Sequence, residues 1–240
     1  MRILLILFFL LQASYLKANE INYLLDIPNL EIYKLNNTNG IKYLNAKKNF
    51  IIGINNNISC NKATKENLNK KFPIIKQNLE IYDSDFLKKI NLRFIVLCEG
   101  LYISEINTAG IPNHAKRTLI LDLNFNEIYF ERVMHHEIFH LIQNSFKEIF
   151  NESIWSKFND DKFKYAECST CSDRLGLDLY NKTNGFLTEY SKSIASEDMA
   201  EVYSFLITDK MNIKTKSKKD SILLNKIKFI ESGINQINNF

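Results

Sequence analysis

Apolar positions along this chain change their rhythm several times, and each change marks an element. Between Thr64 and Tyr82 the residues Leu68, Phe72, Ile75, Leu79 and Tyr82 are spaced 4, 3, 4, 3, the period of one helix face. Pro73 interrupts that face, so the helix either kinks or begins near Phe72 with the proline in its first turn. Short apolar runs of strand type flank it: Phe50 to Ile54 before, and Leu92 to Cys98, Leu101 to Ile106 and Thr118 to Leu123 after. Gly100 and the turn-like Gly110-Ile111-Pro112-Asn113 punctuate them. From Arg132 to Lys147 the helical period returns, with Val133, Met134 or Phe139, Leu141 and Ile142 available for a buried side. Trp155 to Thr188 is irregular. Ser196 to Ile207 reads as a second helix with Ser196 or Ser193 as N-cap. A Lys-rich connector, Lys210 to Lys219, leads to a last amphipathic helix with Leu223, Ile227, Ile230, Ile234 and Ile237 on one face. Between Glu20 and Asn49 the chain is polar and Asn-rich, and no element is assigned. The pattern is α+β: a sheet-containing half, about 50–131, and a mostly helical half, about 132–240, within one domain of 19–240.

Residues 1–18 stand apart. Arg2 precedes nine apolar residues, Ile3 to Leu11, and then a more polar stretch ending in Lys17-Ala18. Nine residues span only about half a bilayer core, so the pattern predicts a secretory signal peptide and no stable membrane insertion. The expected location is secreted or periplasmic. A chain of 240 residues that is 45% apolar and 24% charged has the composition of a folded globular protein. Its net charge of +4 is too small and too evenly spread to suggest nucleic acid as a partner. The 32 Ile, 30 Asn and 26 Lys read as an A/T-rich coding bias. Asn57-Ile58-Ser59 and Asn181-Lys182-Thr183 are accordingly not taken as glycosylation sites. In an exported chain the four cysteines favour Cys60–Cys98 and Cys168–Cys171 disulfides. A structural zinc held by all four, or a redox-active pair in Cys168-Ser169-Thr170-Cys171, are the alternatives.

The stretch that carries chemistry is His136-Glu137-Ile138-Phe139-His140, an HExxH pattern inside a helical segment. Residues four apart share a helix face, so two imidazoles can grip one ion, and the glutamate between them can reach a water as general base. A catalytic zinc needs a third protein ligand. Position 143 is Gln143 and position 146 is Phe146, so the extended HExxHxxGxxH pattern fails, and the one histidine outside the cluster, His114, lies upstream. A downstream carboxylate is the remaining solution. Ser196-Glu197-Asp198-Met199-Ala200-Glu201 offers Glu197 and Glu201 on one helix face, with Asp198 about 100° away. One of the two can bind metal while the other accepts a hydrogen bond from a ligating imidazole. His135 has Phe139 as its i+4 neighbour, so it is no ligand and either meets substrate or faces solvent.

HExxH followed by a helix carrying E-x-x-A-E resembles the gluzincin metallopeptidases, most closely the branch that includes the catalytic domain of anthrax lethal factor. The resemblance covers roughly Thr118 to Ile207. It implies a zincin-like fold, one catalytic Zn2+, and a peptide or protein substrate. By position it implies that His136, His140 and Glu197 hold the metal and that Glu137 is the base. Glu201 would bond a ligating imidazole, and Tyr190, in the segment before the glutamate helix, would put a hydroxyl beside the reacting carbonyl. In that family the substrate adds as a strand to a sheet edge, for which Thr118 to Leu123 is the candidate. Phe139 stands where many members carry Gly, and a Cys-bearing insertion separates the two helices. Two competing functions remain in view: a catalytically silent zinc-binding scaffold of the same fold, and a thiol–disulfide oxidoreductase built on Cys168 and Cys171. The chain is expected to be a monomer.

Overall fold

The computed structural model describes residues 25–34, 38–171, 173–180 and 182–238; the expected signal peptide lies outside them. Its centre is a mixed sheet built on strand β5 (Phe94–Ile103), which pairs in parallel with β2 (Lys42–Ala46) on one side and β8 (Thr118–Asp122) on the other. Strand β1 (Leu30–Lys34) extends the sheet antiparallel beyond β2, and β7 (Gly110–Asn113) does so beyond β8. The β3–β4 hairpin (Phe50–Ile52, Ile58–Asn61) pairs with the far half of β5, as does the short β6 (Ile106–Asn107).

Both faces of β5 are covered, which is why it reads as an unbroken apolar run. Ile95 and Leu97 point into the larger core with Tyr43, Leu119 and Leu121, beneath the helices. Phe94, Val96 and Cys98 point the other way, into a smaller core with Leu44, Phe50 and Ile120. Two expected strands, Leu92–Cys98 and Leu101–Ile106, are one strand here. Gly100 passes through at φ +61, and the carboxylate of Asp122 accepts from the Gly100 and Leu101 amides at 2.8 and 3.0 Å, so the irregularity costs no unpaired donor. The Cys60–Cys98 disulfide ties β4 to β5, with Cα atoms 6.0 Å apart.

Helix α1 (Lys65–Leu79) begins where the side chain of Thr64 accepts from Asn67 N, and it runs through Pro73 rather than starting near Phe72. It is followed by the short α2 (Ser84–Lys89). Helix α3 (Glu127–Ser145) starts five residues before the expected Arg132, capped by Asn126. After the single-turn α4 (Glu152–Ser156) the described residues are irregular to about residue 189, as the pattern suggested. A 3-10 turn at Tyr190–Lys192 leads into α5 (Ala195–Thr208). Neither expected serine caps α5. The cap position is Ile194, and Ser193 Oγ instead donates to Tyr190 O at 2.7 Å, closing the preceding turn. The Lys-rich connector is itself a helix, α6 (Lys210–Ser217), pinned by buried Ile213 and by the Lys216 ammonium, which donates to the carbonyls of Tyr180 and Phe186. The last helix, α7 (Ser221–Asn238), buries Leu223, Ile227, Ile230 and Ile237, with Ile234 half-buried, as its spacing predicted. No helix among the described residues is long and apolar enough to cross a membrane.

Candidate metal centre

Helices α3 and α5 pack against each other under the β7 edge of the sheet, and the chemistry sits where they meet. His136 and His140 leave α3 one turn apart and Glu197 leaves the first turn of α5. Glu197 Oε2 lies 2.8 Å from His136 Nε2 and 3.1 Å from His140 Nε2, and the two imidazole nitrogens are 3.2 Å apart. Donors held at 2.0–2.1 Å around a tetrahedral zinc stand about 3.3 Å from one another, so these three atoms already approximate one face of a zinc tetrahedron. These three side chains are the His/Cys/Asp/Glu group that could hold an ion among the described residues. The donor set fits zinc.

The surroundings orient these donors. Glu201, one turn beyond Glu197, accepts from His136 Nδ1 at 2.8 Å, which leaves Nε2 as the lone-pair nitrogen facing the site. On its other oxygen Glu201 meets the guanidinium of Arg132, which reaches over the ring of Phe205 and donates from Nη2 to Leu177 O at 2.7 Å. Burial alone would raise the Glu201 carboxyl, but its bonds to His136 and Arg132 hold it below the usual carboxylate range. Burial would push the His136 imidazole down; the carboxylates of Glu197 and Glu201 override it and hold that imidazole up, to about 10. So strong a preference for a cation suits a site where a metal ion competes with that proton.

Glu137 faces the cleft beneath β7. A Cβ at Gly110 would stand 2.8 Å from Glu137 Cγ, so the glycine is what lets the strand pass this close. Burial pushes the Glu137 carboxyl up to about 7, within the range of a neutral-pH base. The ring of Tyr190 stacks on His136 with centroids 5.8 Å apart, and burial followed by the charges of Glu197 and Glu137 keeps its hydroxyl protonated. The cleft above these groups has a volume of about 680 Å³ and is walled by Phe125, Val133, Leu175 and Leu177. A second hollow of about 570 Å³ continues past His140, lined by His114, Gln143, Lys147 and Glu152.

The structure thus brings together His136, Glu137, His140, Tyr190, Glu197 and Glu201. Three expectations change. His135 meets neither substrate nor solvent: it is buried, accepts from Tyr82 OH at Nδ1 (2.7 Å) and bonds Asn78 Oδ1 through Nε2 (2.9 Å). Strand β8 is not an edge, because it lies between β5 and β7. The edge is β7, whose Gly-Ile-Pro-Asn sequence reads as a turn; an edge strand tolerates Pro112 because its missing donor can face away from the ladder. Asp198 lies outside the His136–His140–Glu197 group and accepts from Trp155 Nε1, Tyr165 OH and Lys226 Nζ at 2.8, 2.5 and 2.5 Å. Sequence reasoning missed Arg132, although its place one turn before His136 on the same helix face was a usable signal.

Two helices that bring an HExxH pair and a glutamate together define a zinc metallopeptidase type of site on an α+β, zincin-like fold. Residues 71–233 match the protein family described as "Putative zinc-binding metallo-peptidase", and the chain belongs to that family. The match includes every residue of the site. No curated protein matches the chain.

Proposed function

We propose that this protein is a zinc-dependent endopeptidase of the gluzincin type, akin to the lethal-factor branch, holding one catalytic zinc through His136, His140 and Glu197. The observation that carries this reading is the convergence of those three donors with the Glu137 carboxylate beside them in a cleft under a free sheet edge. Bound there, zinc would act as a Lewis acid on the scissile carbonyl and make an attacking water more acidic. The chain's own residues supply the rest. The substrate pairs with the β7 edge, which sets its carbonyl over the donors. Glu137 takes the proton of the attacking water and returns it to the leaving amine. The Tyr190 hydroxyl donates to the carbonyl oxygen as charge grows on it. Glu201, kept ionised by Arg132, fixes the His136 tautomer.

The two disulfides favour action in an oxidising compartment, in keeping with export by the N-terminal segment, and we take 19–240 as one catalytic unit working as a monomer. The deciding experiment is a proteome-wide profile of cleavage sites for wild type against Glu137→Gln, with zinc content measured on both. Cleavage that depends on Glu137 while zinc is retained supports the enzyme. Equal cleavage by the variant would sink the mechanism, and no cleavage by either protein would favour the silent scaffold.

A further inference from the structure

The Cys168–Cys171 pair does not sit apart from the metal centre. Its Cα atoms are 5.3 Å apart, and the two residues inside this small ring, Ser169 and Thr170, line the cleft beside Tyr190. Ser169 and Tyr190 stand on the wall of the same cleft. On either side of the ring the chain is tied to the turn that carries Tyr190. Ala166 N donates to Ser193 O at 2.7 Å, Arg174 Nη1 donates to Lys192 O at 2.6 Å, and Tyr190 N donates to Gly176 O at 3.0 Å. Between those ties, residues 167–173 form no helix or strand among the described residues, so the disulfide supplies the constraint that a hydrogen-bond ladder would supply elsewhere.

We propose that the Cys168–Cys171 disulfide and Ser169 act as a redox-sensitive positioning device for Tyr190, so that reduction of this one bond weakens the site's hold on a tetrahedral, negatively charged reaction centre. The inference rests on the metallopeptidase reading above. The reductant is a small dithiol or an equivalent cellular thiol pair. Its thiolate attacks one cysteine sulfur, breaking the Cys168–Cys171 bond and releasing the other cysteine; its second thiol then attacks its own sulfur in the mixed disulfide, releasing the remaining cysteine and closing the reductant into a cyclic disulfide. Two electrons pass to the protein, and Cys168 and Cys171 each end as a thiol carrying one proton. Cys171 is exposed, whereas Cys60 and Cys98 are 2% and 0% exposed, so the cleft pair meets a reductant first. In a cell such a device would hold activity low in thiol-rich interiors and complete the site on arrival in an oxidising compartment.

The test uses the zinc-loaded full chain and a peptide phosphonate, whose tetrahedral anionic centre mimics the attacked carbonyl, with binding followed by calorimetry. Wild type is measured oxidised and after brief dithiol treatment, with mass spectrometry showing which pair has opened. Ser169→Ala and the Cys168→Ala/Cys171→Ala double variant are measured beside it. Reduction, Ser169→Ala and the double variant should each weaken binding about tenfold with zinc content unchanged, the effect of losing one hydrogen bond to the charged centre. None should weaken it further in a Tyr190→Phe background, and dithiol should leave the double variant unaffected. Unchanged affinity in both variants, or a loss that persists in full with Tyr190→Phe, would overturn the proposal. Peptide hydrolysis by wild type and Glu137→Gln, run in parallel, reports on the parent reading separately, because phosphonate binding requires no turnover.

Discussion

Arg132 is the residue on which the rigidity of the metal centre is expected to depend most. Its guanidinium is buried and pairs with Glu201, whose side chain is 1% exposed and also takes the His136 Nδ1 proton. Arg132→Leu keeps much of the volume and removes the charge. It leaves Glu201 as a buried carboxylate without its guanidinium partner, and it frees the half-buried Leu177 O. Breaking a buried ion pair from one side costs about 3–5 kcal/mol, while the half-buried Leu177 O can turn to water. Part of this is recovered by uptake of a proton on Glu201, so a loss of about 4 kcal/mol is expected in the metal-free protein. Because Glu201 would no longer be held against His136 in one orientation, zinc affinity should fall by roughly ten- to a hundredfold. Urea melts with and without zinc measure the first quantity, and competition against a chelator of known affinity measures the second. Adding Glu201→Gln to Arg132→Leu removes the stranded charge, so the double variant should be more stable than the sum of the single losses. Strictly additive losses, or a single variant within about 1 kcal/mol of wild type, would refute the picture of a coupled Arg132–Glu201–His136 chain.

Glu137→Gln should lower kcat by about two to four orders of magnitude while zinc stays bound, since the base is lost but the ligands are not; metal analysis beside turnover checks both halves. Gly110→Ala places a Cβ 2.8 Å from Glu137 Cγ and 3.3 Å from Ile120 O, so turnover should fall on the order of a hundredfold with zinc retained; unchanged kinetics would mean that the β7 edge does not set the position of the base. Removing zinc with a chelator should lower stability by about 4 kcal/mol relative to protein held at a thousandfold excess over its dissociation constant, seen as a fall in Tm that added zinc reverses. Burial pushes the His135 imidazole down to about 4 from its usual 6.5, so the unfolded chain takes up a proton first as pH falls. The contribution is complete above about pH 6.5 and is lost progressively towards pH 4, by about 3 kcal/mol in all. His135→Gln should flatten that part of the pH–stability curve in metal-free protein, and parallel curves for the two proteins would count against it.

Helices were legible from pattern alone where one face is wet, and strands β5 and β8 where both faces are buried and the apolar run is unbroken. Helix α7 shows its buried stripe because the opposite face is solvated, and α1 shows its own in spite of Pro73. Strand β2 was invisible because it carries neither signal. Tyr43 packs into the larger core and Leu44 into the smaller one, so both faces are buried and no alternation survives, while Asn45 interrupts the apolar run. Local chemistry also misled at β7. Gly110 and Pro112 carry turn propensity, but here the glycine admits Glu137 and the proline sits at an unpaired edge, constraints set by neighbours from other parts of the chain.

The metal centre was more legible than the fold around it because its donors are spaced by helix geometry. His136 and His140 share a face at any site on an α-helix, and Glu197 and Glu201 do likewise, so each pair could be read from a local window. What a window cannot show is the partner across the gap. Arg132 obeys the same spacing on the same face, yet its role exists only because α5 brings Glu201 against it. His135 makes the complementary point. It stands beside a ligand in sequence but leaves the helix about 100° away, and α1 meets it there with Asn78 while Tyr82, just beyond α1, supplies the second bond. A histidine satisfied on both nitrogens in an apolar layer holds α3 in register with α1. That contact places the donor-bearing face without belonging to it, which is why a motif read from spacing points to the candidate donors and leaves their support to be found in three dimensions.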